Sequence, residues 1–212
     1  VTQTGYLLAV LYAVVLTTSF LAFRVRPLSS RAGQRWPWAT IVALLVVGIP
    51  TLAQFTVAPT LLENLERNWT LIGRGEVWRL ATSLVVQDGG LVGTVFNLVA
   101  LALIGFAAEK TWGAGRWIAI ALAGGVGAQL WGEIVQPVGA GNSVAVFSLA
   151  ASVAVLAIIR GVGPQRMLGV ISLVGVAILL IIGDIHGGAA TIGAVLGLAF
   201  SRSVRSAKSE SG

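Results

Sequence analysis

No cysteine occurs among the 212 residues, which excludes disulfides, thiolate metal sites and a cysteine nucleophile. A single histidine excludes a histidine-rich metal site as well. Charge is scarce: 10% of residues are Asp, Glu, Lys or Arg, against about a quarter in soluble domains. So few charges cannot cover a globular surface, and no soluble domain or internal repeat can be drawn. A cleavable signal peptide is not expected either. No basic residue precedes the first apolar run, whereas Arg24 and Arg26 follow it.

What fills the chain instead is apolar. Hydrophobic residues make up 56%, and the mean hydropathy is +0.90. They come in blocks of about 16 to 20, the length that crosses a hydrocarbon core as helix. The 27 glycines would weaken soluble helices, but in membranes glycine lets helices approach closely. The expected fold class is an all-α polytopic membrane protein. Seven spans are predicted, at 5–23, 38–55, 91–108, 117–135, 143–160, 167–182 and 185–201.

The charges test this drawing. With the N-terminus outside, the inner segments carry Arg24, Arg26, Arg31, Arg35, Lys110, Arg116, Arg160, Arg166, Arg202, Arg205 and Lys208. The outer segments carry Arg67, Arg74 and Arg79. That places 11 of the 14 basic residues inside, which favours both the count of spans and their direction. The net charge of +6 is thus a topology signal at segment ends, and nucleic acid is not expected as a partner. Trp36, Trp38, Trp112 and Trp117 fall at the inner ends, as an interfacial belt would. Residues 56–90 read as an outer loop with a short amphipathic helix lying on the membrane. Residues 203–212 read as a polar, disordered tail.

Polar groups within the bilayer cost free energy unless partnered, so each is a candidate site. They are Asn97, Ser143, Asp184 and His186, with Gln129 and Glu133 nearer an end. In the predicted topology Ser143 and His186 each begin a span at the outer side, and Asn97 lies about two turns below that level. At about 100° per residue, Ser143, Phe147, Ala150 and Ala154 share one face, and His186, Ala190, Gly193 and Gly197 another. If these small-residue faces pack, Ser143 and His186 meet at the top of the contact. A serine beside an imidazole is the minimal activated nucleophile. Asp184 would point about 200° away from His186 on a helix, so contact between them is not expected. Packing alone also accounts for a lone serine, for Asn97 and for the Gly193/Gly197 pair.

These residues resemble a known pattern, that of the rhomboid family of intramembrane serine proteases, over roughly residues 38–201. Gly75 to Leu80, with Trp78 and Arg79, is similar to that family's Trp-Arg element in the first outer loop. Phe96-Asn97 resembles the end of its HxxxN motif, and Glu109 to Gly113 its Glu-basic-x-x-Gly turn. Gly141-Asn142-Ser143, followed by Ala145-Val146-Phe147, resembles the GxSG nucleophile motif. His186 with Gly193 and Gly197 resembles the last helix. The resemblance implies a six-helix core at 38–201, preceded by an extra transmembrane helix and cytoplasmic linker at 1–37. A cytoplasmic polar tail follows at 202–212.

It further implies Ser143 as nucleophile and His186 as general base, a dyad without a third acidic member, with Asn97 and the Ser143 amide in the oxyanion hole; no cofactor is expected, and the cysteine and histidine counts leave no metal site. The partners would be the lipid bilayer and single-span membrane proteins cut near the outer face. The setting would be a bacterial plasma membrane, with the C-terminus cytoplasmic. Gly93 stands where the family motif has histidine, Asp88 where an upstream histidine is often found, and Val144 where glycine follows the nucleophile. The Gly93 and Val144 departures keep a second reading open, a catalytically impaired relative that binds membrane-protein clients. A small-solute channel or transporter finds no support in paired intramembrane charges or an inverted repeat.

Overall fold

The computed structural model describes residues 3–25, 28 and 36–209, with backbone alone at 3–4 and 203–209. Arg26, Arg31 and Arg35, and the side chains of Arg205 and Lys208, lie outside the described residues. The elements run α1 (Gln3–Val25), α2 (Trp38–Thr56), α3 (Leu61–Leu65), β1 (Arg67–Asn68), α4 (Trp69–Ile72), α5 (Arg79–Thr82), α6 (Gly90–Trp112), α7 (Ala114–Val135), β2 (Val138–Gly139), α8 (Ser143–Arg160), α9 (Pro164–Ile181) and α10 (Ile185–Ser209). The protein is an all-α polytopic integral membrane protein. Among the described residues, α1, α2, α6, α7, α8 and α9 are long and apolar enough to cross a bilayer. The seventh long helix, α10, is diluted by His186, its glycines and Arg202. It continues as helix to Ser209, where a disordered tail was expected, because no glycine or proline stops it after Gly197.

α8 is the axis of the bundle. Val144 and every residue from Val146 to Ala157 are buried. Its small side chains, Ala150, Ala151, Ala154 and Ala157 among them, let neighbouring helices close on it from every side. α2 is the opposite case, with Val42, Leu45, Val46, Ile49 and Leu52 exposed in the direction that lipid would occupy.

Glycines set the closest helix contacts. A Cβ on Gly193 would stand 2.0 Å from the Ser148 carbonyl oxygen, and one on Gly197 2.8 Å from Ser152 Cα. α10 therefore lies backbone to backbone on α8, as the small-residue pattern predicted. The face it meets is different, however, formed by Ser148 and Ser152 rather than Ala150 and Ala154. α1 wedges between α6 and α9 against α8. Val15 fills the space over Gly175, Ser19 Oγ and Ser172 Oγ are 2.8 Å apart, Gln165 Nε2 donates to the Ala22 carbonyl at 2.7 Å, and Phe23 meets Phe106 edge-on.

The segment between α2 and α6 holds three short helices rather than one. Arg79 is its organiser: buried, it bonds Glu76 at 2.7 Å and the carbonyls of Glu63 and Glu66 at 2.9 Å each. Trp78 beside it stays exposed. β1 pairs antiparallel with β2, Arg67 opposite Gly139, a link between distant loops that the sequence pattern does not announce. Arg67 donates to the Gln136 carbonyl at 2.7 and 3.1 Å and to the Gln129 side chain. Burial pushes its guanidinium below the ordinary arginine value, against the carboxylates Asp88 and Glu66.

At the other end of the bundle, Glu109 is not in a turn but in the last helical turn of α6. Its buried carboxylate accepts from the amides of Ala39 and Thr40 at 3.0 and 2.7 Å and from Thr40 Oγ1 at 2.7 Å. An anion on the free amides of the α2 start is favourable there. Gly113, at φ +78°, makes the turn into α7. Trp36 and Trp38 are exposed as a belt requires, but Trp112 and Trp117 are buried. Their indole nitrogens donate to Ser152 Oγ at 2.9 Å and to the Gly105 carbonyl at 3.0 Å, which ties those rings inward.

Candidate active site

Ser143 is the first residue of α8, and the first amide there to bond one turn back is that of Val146, to the Asn142 carbonyl at 3.2 Å, so the amides before it at the helix start have no intrahelical acceptor. The preceding turn is held by Gly141, whose φ of +143° suits glycine and whose amide donates to the Ser83 carbonyl at 2.8 Å. His186 is the second residue of α10. Packing α10 onto α8 at Gly193 and Gly197 brings the two starts together, and Ser143 Oγ lies 2.9 Å from His186 Nε2.

The other ring nitrogen decides the roles. His186 Nδ1 is 2.8 Å from Asp184 Oδ1. Facing an acceptor, Nδ1 carries the proton, which leaves Nε2 to accept from the serine hydroxyl. Contact between Asp184 and His186 was not expected, and the reason is local. Asp184 precedes α10 instead of lying within it, so helical angles do not apply. Gly183, at φ +72°, ends α9. Asp184 then caps α10, Oδ1 accepting the His186 amide at 2.9 Å while also facing Nδ1. Oδ2 accepts the Tyr12 hydroxyl at 2.6 Å, and the Asp184 carbonyl accepts from the Trp131 indole at 3.2 Å. Burial works against the charge of this carboxyl, but the hydrogen bonds from His186 and Tyr12 outweigh it and hold the group below its ordinary value. His186 and Asp184 side chains are 13% and 12% exposed, so little water competes for these bonds. The imidazole is enclosed between Tyr12 and Phe147, each ring 4.6 Å from it.

Asn97 approaches from α6. Its Nδ2 lies 3.4 Å, and Ser143 Oγ 3.5 Å, from the point where a Cβ on Gly141 would stand. The absent side chain leaves a space bordered by both. Asn97 Nδ2 donates one proton to Gln87 Oε1 at 2.8 Å, and its second proton remains to be donated. Gln87 is fully buried and also donates to Asn142 Oδ1 at 2.9 Å, while Gln54 clasps its backbone in both directions. Asn142 in turn donates to the Asn97 carbonyl at 3.3 Å. The orientation of Asn97 is thus set by a buried amide network that the sequence reading missed.

Gly93 and Asp88 line the same cavity of about 230 Å³, with Ser143, His186 and Tyr12. A Cβ on Gly93 would meet nothing within 4 Å, so the expected histidine position is open space. Asp88 is engaged elsewhere, accepting the Ala140 amide at 2.7 Å. Val144 does not separate the serine from the histidine. The two stay 2.9 Å apart, while Val144 clusters with Ala128, Ile185 and Ala189, beside the partly buried Leu84, Trp131 and Val135, and also lines the cavity.

Tyr12 was also missed, because an aromatic inside an apolar run reads as packing. Gln129, by contrast, was flagged by its depth and pairs with Arg67.

A family profile described as Rhomboid domain matches residues 74–206, more than half of the chain. Over 79 residues the chain is 38% identical to the Rhomboid protease GluP of Bacillus subtilis (strain 168). That stretch is 37% of this chain and 15% of that relative, so the chain spans a small part of the relative's length.

Proposed function

The chain belongs to the rhomboid family, and on that premise we propose that it is an intramembrane serine protease acting through Ser143 and His186. The observation that carries the proposal is the 2.9 Å contact between Ser143 Oγ and His186 Nε2 beside an open cavity. His186 takes the hydroxyl proton as Ser143 Oγ attacks a peptide carbonyl. The developing oxyanion is met by the free proton of Asn97 Nδ2 and the unbonded amides at the α8 start. His186 then returns the proton to the leaving amine, and water resolves the acyl-enzyme by the same route in reverse. Asp184 holds the imidazole in the tautomer that accepts at Nε2 and steadies the imidazolium that forms.

The substrates in this reading are single-span membrane proteins, cut near the outer face of a bacterial plasma membrane. The chain would have its N-terminus outside and its C-terminus cytoplasmic, the sidedness supported by the 11 basic residues assigned inside. The division into 1–37, 38–201 and 202–212 is proposed with it. Purified protein is expected to cleave a transmembrane reporter, and Ser143→Ala to abolish that cleavage. Equal cleavage by both would overturn the assignment. Gly93, which leaves one oxyanion donor unsupplied, favours a second reading as a client-binding protein. That reading predicts reporter capture without cleavage and no fluorophosphonate labelling of Ser143.

A further inference from the structure

We infer that Tyr12, on the helix that precedes the six-helix core, is a positioning residue of the active site: it holds Asp184 and, through it, His186. The inference rests on the proposed protease reading for its effect on rate, but its geometry stands alone. The two oxygens of Asp184 have divided tasks. Oδ1 takes the His186 amide and faces Nδ1, and Oδ2 takes the Tyr12 hydroxyl at 2.6 Å, a short bond of the kind charge assistance produces. The carboxylate is thereby pinned at both ends and cannot rotate away from the imidazole. The Tyr12 ring also covers one face of His186 at 4.6 Å and meets Phe147 edge-on at 5.3 Å.

α1 does not need that hydroxyl in order to sit where it does. Val15 over Gly175, the Ser19–Ser172 hydroxyl pair and the Gln165–Ala22 bond anchor it along α9. A phenol hydroxyl in an apolar run is costly unless bonded, and this one is spent on the carboxylate that touches the base. The region matched by the family profile begins at residue 74, so this contact comes from outside it. The residue is brought to the site by the packing of α1 between α6 and α9. The site thus draws on α1 as well as on α6, α8 and the start of α10, and the core at 38–201 alone would leave Asp184 Oδ2 without the donor it has here.

The test uses Tyr12→Phe, which removes one oxygen and keeps the ring. Its kcat on a transmembrane reporter is expected to fall about tenfold, the usual scale for a hydrogen bond to a charged group, with KM within about twofold of wild type. Combined with Asp184→Asn, the same change is expected to give no further loss, because both act through one bond. A single histidine makes a second readout clean. With ¹⁵N-histidine labelling in micelles, Tyr12→Phe is expected to shift the imidazole Nδ1–H resonance and speed its exchange with water. An unaltered kcat and imidazole spectrum would overturn the inference, as would a loss fully additive with Asp184→Asn. If wild type cleaves no reporter, the protease reading falls while the imidazole spectrum still decides the role of Tyr12.

Discussion

Gly193→Ala inserts one methyl group where the structure has no room for one. The new Cβ would stand 2.0 Å from the Ser148 carbonyl oxygen, 2.5 Å from its carbon and 2.6 Å from its Cα. All three are backbone atoms, so no rotamer change relieves the clash. Ordinary contact begins near 3.4 Å, and α10 must therefore retreat from α8 by about 1.4 Å at this level. Ser143 lies five residues above Ser148, about 7.5 Å along the helix, so the retreat is felt at the site. A Ser143–His186 contact of 2.9 Å lengthened by even 1 Å leaves hydrogen-bond range. Misplacement on that scale costs about 10²-fold in rate.

The assay is reporter cleavage and fluorophosphonate labelling by purified Gly193→Ala, beside Gly48→Ala as a control. A Cβ at Gly48 meets nothing within 4 Å, and that variant is expected to behave as wild type. Gly193→Ala that is folded and cleaves within about threefold of wild type would refute the claim that this backbone contact sets the dyad distance.

Gly93→His is expected to raise kcat, by about 10-fold or more if the ring supplies an oxyanion donor, because the position opens onto the cavity; kcat on the same reporter checks it. Glu109→Ala removes the acceptor of three bonds at the α2 start and is expected to cost about 2–3 kcal/mol, read as a lowered thermal midpoint. Arg79→Ala should loosen the segment between α2 and α6, seen as faster proteolysis at 57–89 and a lower midpoint, since two carbonyls and Glu76 lose their donor. The Asp184 carboxyl is held below its ordinary value, so its contribution to stability is present at neutral pH and is lost as pH falls through the lowered value. Thermal midpoints of wild type and Asp184→Asn should accordingly differ at pH 7 and converge only below about pH 4.

Much of the molecule was legible before the structure. A lipid-facing segment must satisfy its backbone as a helix or in a closed barrel, and apolar blocks of about 16 to 20 residues have the length of the helix, not of the shorter barrel strand. That alone fixes the class and the seven long helices. Ser143 and His186 stood out because polar groups are rare in such blocks. Gly193 and Gly197 marked the helix that must approach another closely. What misled was the assumption that residues near a helix start obey its angles: Asp184 is a cap and turns back to the imidazole. Trp112 and Trp117 misled for a related reason, since position at a span end does not say which way a ring points.

The sequence by itself therefore determined the fold class and the number of long helices, both of which follow from local hydropathy and chain geometry. Only the tertiary structure decided which faces meet and which partners are made across them. The Ser148 face of α8, the Gln87–Asn97–Asn142 network and the Tyr12–Asp184–His186–Ser143 chain join residues that lie from 2 to 172 positions apart in sequence. Such contacts depend on how whole helices pack, and a residue's immediate neighbours in the chain carry no record of that.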